Sequence, residues 1–191
     1  MTTGERTSGG ADDLRLRLVV LRCQAGDDQA FATLFDWFSP KTLRHLRGLI
    51  GDAADDVQQD VWLTVYRRLA EVVNPGAFRT WLFRTTRHRA MDFLRRQRRE
   101  QELVDEFTIV AGEAVVQSSD DPLPELVDDS IVDAEIARLP ALQREALLLR
   151  YRNELSYTDI ALIVGCPLGT VKTRVYHAKR TLQQRLKRGP L

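Results

Sequence analysis

The sequence predicts an all-α protein made of two small helical domains joined by an acidic extended linker. Three observations lead there. Apolar residues recur at three- and four-residue steps along most of the chain, and no window shows sustained alternation of β-branched residues. The charges are sorted into blocks: eight arginines against the single acid Asp92 from Arg79 to Arg99, twelve acids and no basic residue from Glu100 to Ala137, and seven basic residues and no acid from Gly169 to Arg188. A net charge of only +1 over 191 residues thus conceals two cationic regions flanking an anionic one. The 43% apolar content suffices for two small cores.

Residues 1–24 read as an amino-terminal tail and the start of a first helix. Asp27 and Asp28 can cap a helix carrying Phe31, Leu34, Phe35 and Phe38 at i, i+3, i+4, i+7, which Pro40 is expected to end. A second pattern, Leu43, Leu46, Leu49 and Ile50, closes at Gly51. A third opens on Asp52, Asp55 and Asp56 and continues through Val57, Val61, Val65 and Leu69. After the breaker Asn74-Pro75-Gly76, residues Phe78, Leu82, Thr86, Ala90 and Phe93 line one face of a long arginine-rich helix, with Arg89 inside the apolar arc. Trp81 is assigned to the core. From 101 to 130 the chain turns acidic and loses its period, with Pro122 and Pro124 inside: an extended linker. Helical patterning resumes with Ile131, Ile136 and Leu139, and Pro140 starts a helix through Leu142, Ala146, Leu147 and Leu149.

The end of the chain carries the most specific pattern. Ser156 and Asp159 form a capping-box start, Gly165 stands where a left-handed residue is cheapest, and Pro167 suits a first helical turn. Val171, Val175, Ala178 and Leu182 form the buried stripe of the last helix. Thr170, Lys172, Thr173, Arg174, Tyr176, His177, Lys179 and Arg180 are expected to project between them. A capped helix, a tight glycine turn and a second helix with a basic outer face make a DNA-binding helix-turn-helix, the plain helical hairpin being the alternative. Amino-terminal residues of the second helix would reach base edges, and its lysines and arginines would neutralise phosphates.

Other function classes find no support. No apolar stretch approaches the ~20 residues of a membrane span, and the polar start is not a secretory signal, so a cytoplasmic location without membrane insertion is expected. Cys23 and Cys166 lie far apart and form no CxxC, against a disulfide scaffold or Cys-rich zinc site. His45, His88 and His177 are scattered, and there is no HExxH, GxSxG or glycine-rich phosphate loop. No catalytic residue, cofactor or metal is expected, and the protein reads as no enzyme.

The runs Leu139-Pro-Ala-Leu-Gln-Arg-Glu-Ala-Leu-Leu-Leu-Arg-Tyr151, Leu155-Ser-Tyr157, Ile160-Ala161 and Gly165-Cys-Pro-Leu-Gly-Thr-Val-Lys-Thr-Arg174 resemble domain four of the extracytoplasmic-function (ECF) sigma factors, group IV of the sigma-70 family. Asp55-Asp56-Val-Gln-Gln59-Asp60-Val-Trp62 is similar to the sigma domain-two helix that docks on the clamp coiled coil of the polymerase β′ subunit. Phe78-Arg-Thr-Trp81-Leu-Phe-Arg84, with Arg87, Ala90-Met-Asp92 and Leu94-Arg-Arg96, resembles the segment that melts and reads the -10 element; the family often has Asn where this chain has His88.

The resemblance implies a transcription initiation factor with sigma domain two at 25–100, the linker at 101–130 and sigma domain four at 131–191. It places Asp55, Asp56, Gln59, Asp60 and Leu63 on core RNA polymerase. Arg84, Arg87, His88, Arg95 and Arg96 fall at the -10 element. Arg150, Thr170, Lys172, Thr173, Arg174, Tyr176, His177, Lys179 and Arg180 fall at the -35 element. Core RNA polymerase and promoter DNA are the implied partners, with an anti-sigma factor a further one. The linker would either thread a cationic polymerase channel or act as a solvated tether. A stand-alone LuxR-like regulator is the alternative, explaining the last fifty residues but not the separate arginine-rich helix.

Overall fold

The computed structural model describes residues 8–102 and 129–187, with side chains from 11 to 99 and from 132 to 187. The expected linker lies almost entirely outside the described residues. Eight α-helices and no strand occur among the described residues: α1 (Ser8–Gln24), α2 (Asp28–Ile50), α3 (Ala54–Arg68), α4 (Phe78–Glu102), α5 (Asp129–Ala137), α6 (Ala141–Tyr151), α7 (Tyr157–Val164) and α8 (Leu168–Lys187). Among those residues no helix is long and apolar enough to cross a membrane.

The first unit is built from α1 to α4. Leu16 and Val20 of α1, Leu34, Phe38 and Leu46 of α2, Val57, Val61 and Val65 of α3, and Phe78 and Leu82 of α4 form one core. Trp81 packs on it, partly buried. The stretch expected to be tail and helix start is therefore mostly a full core helix. Its carboxy-terminal Gln24 donates through Nε2 to the carbonyls of Leu69 (3.0 Å) and Val72 (2.9 Å), tying α1 to the turn after α3.

Pro40 does not end the helix begun at Asp28. The two patterns read as separate helices are one, capped by Asp27, whose side chain accepts from the Ala30 amide at 2.9 Å, and closed by Gly51 at φ 62°. An internal proline costs about 3 kcal/mol. Burying Phe38 before it and Leu46 after it against the same core contributes about 1.5–3 kcal/mol each, enough to keep α2 continuous. Arg89 also finds its account: its Nη2 donates to Thr64 Oγ1 at 2.8 Å, pinning α4 to α3 from inside the apolar arc.

The second unit has α6, α7 and α8 around Leu149, Leu155, Ile160, Ile163, Val171 and Val175, with Ile136, Leu139, Leu147, Ala178 and Leu182 closing the side under α5. Leu142, expected in the apolar pattern of α6, is exposed. Between α6 and α7 the exposed Glu154 adopts φ 56°, the left-handed region, which costs an L-residue about 1–2 kcal/mol. Glu154→Gly should therefore raise stability by about 0.5–1 kcal/mol after the extra unfolded-state entropy of glycine. A denaturant midpoint that does not rise would show that the glutamate is held by something worth as much as the strain.

Candidate nucleic-acid interface

The helix-turn-helix forms as the spacing predicts. Ser156 Oγ accepts from the Asp159 amide at 3.1 Å, Gly165 takes φ 69° and its amide donates to Ala161 at 2.9 Å, and α8 then crosses behind α7. On α8, Lys172 and Arg180 are exposed, and Thr170, Arg174, Tyr176 and His177 are partly so. Two residues expected on the outer face are not there. Thr173 is 6% exposed and donates back to the Gly169 carbonyl at 3.0 Å, and Lys179 is 7% exposed. Lys179 follows Val175 by four residues and precedes Leu182 by three, so it falls on the stripe those residues define. Arg150 is also engaged: its guanidinium lies 5.0 Å from the Tyr157 ring centroid, and Nη1 donates to the Leu155 carbonyl at 3.3 Å, bracing the turn into α7.

On α4, Arg84, His88 and Arg95 share an exposed face at steps of four and seven, with Arg96 beside them. Arg95 pairs with Asp92 one turn back. Partial burial, followed by the neighbouring Arg84, Arg87 and Arg95, pushes the His88 imidazole below its ordinary pKa, against the opposing pull of Asp92. It is thus neutral at pH 7, with one donor and one acceptor.

On α3, Asp55, Asp56, Gln59, Asp60 and Leu63 are all exposed, opposite buried Val57, Val61 and Val65. Asp55 lies 3.4 Å from Arg47 in an exposed pair. The strip continues into apolar surface that sequence reasoning missed. Tyr66 is exposed and meets Phe31 edge-on at 5.2 Å, and Phe35, expected in the core, is partly exposed on Trp62 at 4.8 Å. The signal was present in Tyr66, one turn after Leu63 on the same face.

Arg87 departs from the exposed face of α4 altogether. Its Nε donates to Glu145 Oε1 on α6 at 2.8 Å, and the side chains are 18% and 2% exposed. Beside this pair Phe83, 1% exposed, inserts among Ala146, Leu149 and Ile160 of the second unit. Thr80 Oγ1 donates to Asp159 Oδ1 at 2.8 Å, and a Cβ on Gly48 of α2 would stand 2.9 Å from Leu148 Cδ1 of α6. Desolvation raises the Glu145 carboxyl pKa, opposed by Arg87 and more weakly by Arg174.

His45 is buried edge-on to Phe83 at 5.6 Å, with no partner on either ring nitrogen among the described residues. Burial first, and then Arg87, lower its pKa from 6.5 to about 4. The unfolded chain therefore takes up a proton between about pH 6.5 and 4 that the folded chain refuses, and stability drops as the pH falls through that window, by about 2 kcal/mol at pH 5. The raised Glu145 works in the opposite sense above its ordinary value. His45→Leu should flatten the acid limb of a melting-temperature profile; parallel profiles for the two proteins would remove His45 as its cause.

Comparison with known proteins matches both halves. Residues 34–100 match Sigma-70 region 2, and residues 130–182 match Sigma-70, region 4. The chain is 32% identical over 177 residues to RNA polymerase sigma-H factor of Pseudomonas aeruginosa, covering 88% of this chain and 92% of that one. It is 31% identical over 185 residues to the ECF RNA polymerase sigma-E factor of Escherichia coli K12, covering 92% and 96%. Among solved structures, the sigma factor RpoE in complex with the anti-sigma factor NepR from Bartonella quintana aligns at TM-score 0.62 and 26% identity, over 84% of this chain and 98% of that one. CnrH in complex with the cytosolic domain of CnrY has the same TM-score at 20% identity, covers 92% and 99%, and supports the fold alone. The region 2 match leaves a LuxR-like regulator without support, since such a protein would account only for the carboxy-terminal unit. With both sigma regions in order and full-length relatives above 30% identity, the chain belongs to the ECF branch of the sigma-70 family of RNA polymerase sigma factors, which initiate transcription.

Proposed function

We propose that the chain binds core RNA polymerase through the exposed α3 strip and carries it to promoters read by two separate basic helices. The observation that carries this reading is the pair of cationic faces, on α4 and α8, set on different helical units of one chain. The domain-two role falls to residues 25–100 together with α1, the domain-four role to 131–191, and residues 101–130 join them. Lys172 and His177, with Thr170, Arg174 and Tyr176 beside them, face the -35 bases; Arg180 and the free edge of Arg150 hold phosphates. Thr173 and Lys179 support α8 from within. At the -10 element Arg84, Arg95 and Arg96 hold phosphates, and His88 offers the melted strand one N–H donor and one nitrogen acceptor on opposite sides of its ring, in place of the adjacent oxygen and NH2 of an asparagine amide.

The work is strand capture and positioning, not bond chemistry. Exposing and pocketing a base costs a few kcal/mol, offset by phosphate contacts and by the polymerase. The setting is cytoplasmic. The similar RpoE chain is bound by the anti-sigma factor NepR, which supports a partner of that kind here. Run-off transcription with core polymerase over a promoter library tests the reading: specific starts should need both chain and core. Specific operator binding by the chain alone, with no core-dependent transcript, would overturn it.

A further inference from the structure

A polar hollow of about 240 Å³ opens between α1, α2, the start of α4 and the turn between α6 and α7. Arg15, Lys41 and Arg79 bring a cation to it from three different helices, and Asp12 and Glu154 bring two carboxylates. Among the described residues no ion pair joins these cations to either carboxylate. Arg15 lies instead over the Trp37 ring at 5.0 Å, and Lys41 over the Phe38 ring at 5.7 Å. A cation held on an aromatic face keeps N–H donors free for an anion. None of these residues belongs to the α3 strip or to the faces placed on DNA.

Arg79 is the group most in need of an acceptor. Its Nε is buried without a partner, as are those of Arg144, Arg150 and Arg174. Those three bond through Nη1, to the carbonyls of Ala137 and Leu155 and to the Cys166 sulfur. Arg79 makes no hydrogen bond or ion pair among the described residues. Its backbone is fixed on both sides, by buried Phe78 and by Thr80, whose Oγ1 donates to Asp159. A desolvated guanidinium N–H without an acceptor is costly, and an oxyanion in the hollow removes that cost. Glu154 lines the same hollow in its left-handed conformation, and strain of that kind gathers at ligand sites.

We propose that this hollow binds a small phosphate monoester, with the phosphate on Arg79, Lys41 and Arg15 and a hydroxyl of the same molecule on Glu154 or Asp12. Guanidinium forks match phosphate oxygens in pairs, which a chloride cannot exploit. The ionised carboxylates only accept, so they favour a donor hydroxyl beside the phosphate and repel a ligand that is anionic throughout. The volume lies below the ~300–1,000 Å³ of sites for drug-sized ligands, which sets the size at that of a sugar phosphate.

Calorimetric titration of the full-length chain tests this, with glucose 6-phosphate, inorganic phosphate and glucose as probes at one ionic strength. Glucose 6-phosphate should bind one saturable site, inorganic phosphate more weakly and glucose not at all. Arg79→Gln and, separately, the exposed Lys41→Gln should each weaken glucose 6-phosphate at least about tenfold, with helical circular dichroism unchanged. Glu154→Ala should weaken glucose 6-phosphate and strengthen inorganic phosphate. No saturable binding of glucose 6-phosphate, or wild-type affinity in both cation variants, overturns the proposal. So does an unchanged preference between the two phosphates in Glu154→Ala. Loss of non-specific DNA affinity in Arg79→Gln, with glucose 6-phosphate bound as before, would overturn it in favour of a contact to the DNA backbone.

Discussion

Reversing Asp56 and Asp60 to lysine is expected to weaken association with core RNA polymerase at least about a hundredfold, equivalent to about 2.8 kcal/mol. Both carboxylates are exposed on one strip of α3, and neither sits on the buried stripe, so the fold has little to lose. Asp56 lies in the first turn and favours the positive helix end by about 0.3–1 kcal/mol, which a lysine reverses. That effect does not extend to Asp60, beyond the first turn. Helical content should be kept, as should DNA binding by the α8 face. Holoenzyme formation at wild-type affinity, measured by fluorescence anisotropy with labelled chain, would show that the polymerase docks elsewhere.

Substitutions on α8 should separate base reading from phosphate holding. Lys172→Ala should redistribute promoter use, costing about 1–3 kcal/mol at promoters whose -35 base it contacts and little at others. Arg180→Ala should weaken all promoters alike and lower the slope of log affinity against log salt by about one. Parallel losses across a -35 library for both variants would sink the base-reading half of this assignment. Thr173→Ala is the useful contrast: its hydroxyl is turned back onto Gly169, so it should shift stability a little and promoter choice not at all.

Much of this was legible in the chain. The helix-turn-helix follows from Ser156, Asp159 and Gly165 because capping and left-handed closure are local chemistry, decided within a few residues. The exposed strip of α3 follows from period alone. Where reading failed, a distant partner decided. Pro40 is a breaker by local rules, but α2 passes through it because Phe38 and Leu46 share one core. Lys179 is basic within a basic block, yet its register puts it on the covered side of α8. The arginine at 89 needs Thr64, twenty-five residues earlier. Phe83 lies beside the apolar face that the spacing gives α4, and only the approach of α6 and α7 shows which core it fills.

The adjacency of Leu82 and Phe83 sets how this chain can vary in length. Successive helical residues differ by about 100° around the axis, so each of the two cores takes its own angular sector of α4. A single-residue deletion between Phe78 and Leu82 would turn Phe78 by about 100° relative to Leu82, Phe83 and Ala90, and no rotation of the whole helix could return all four to their cores. Insertions and deletions should therefore be purged from the first half of α4. The stretch after Phe93, which neither core requires, can lengthen or shorten without disturbing the phase of either.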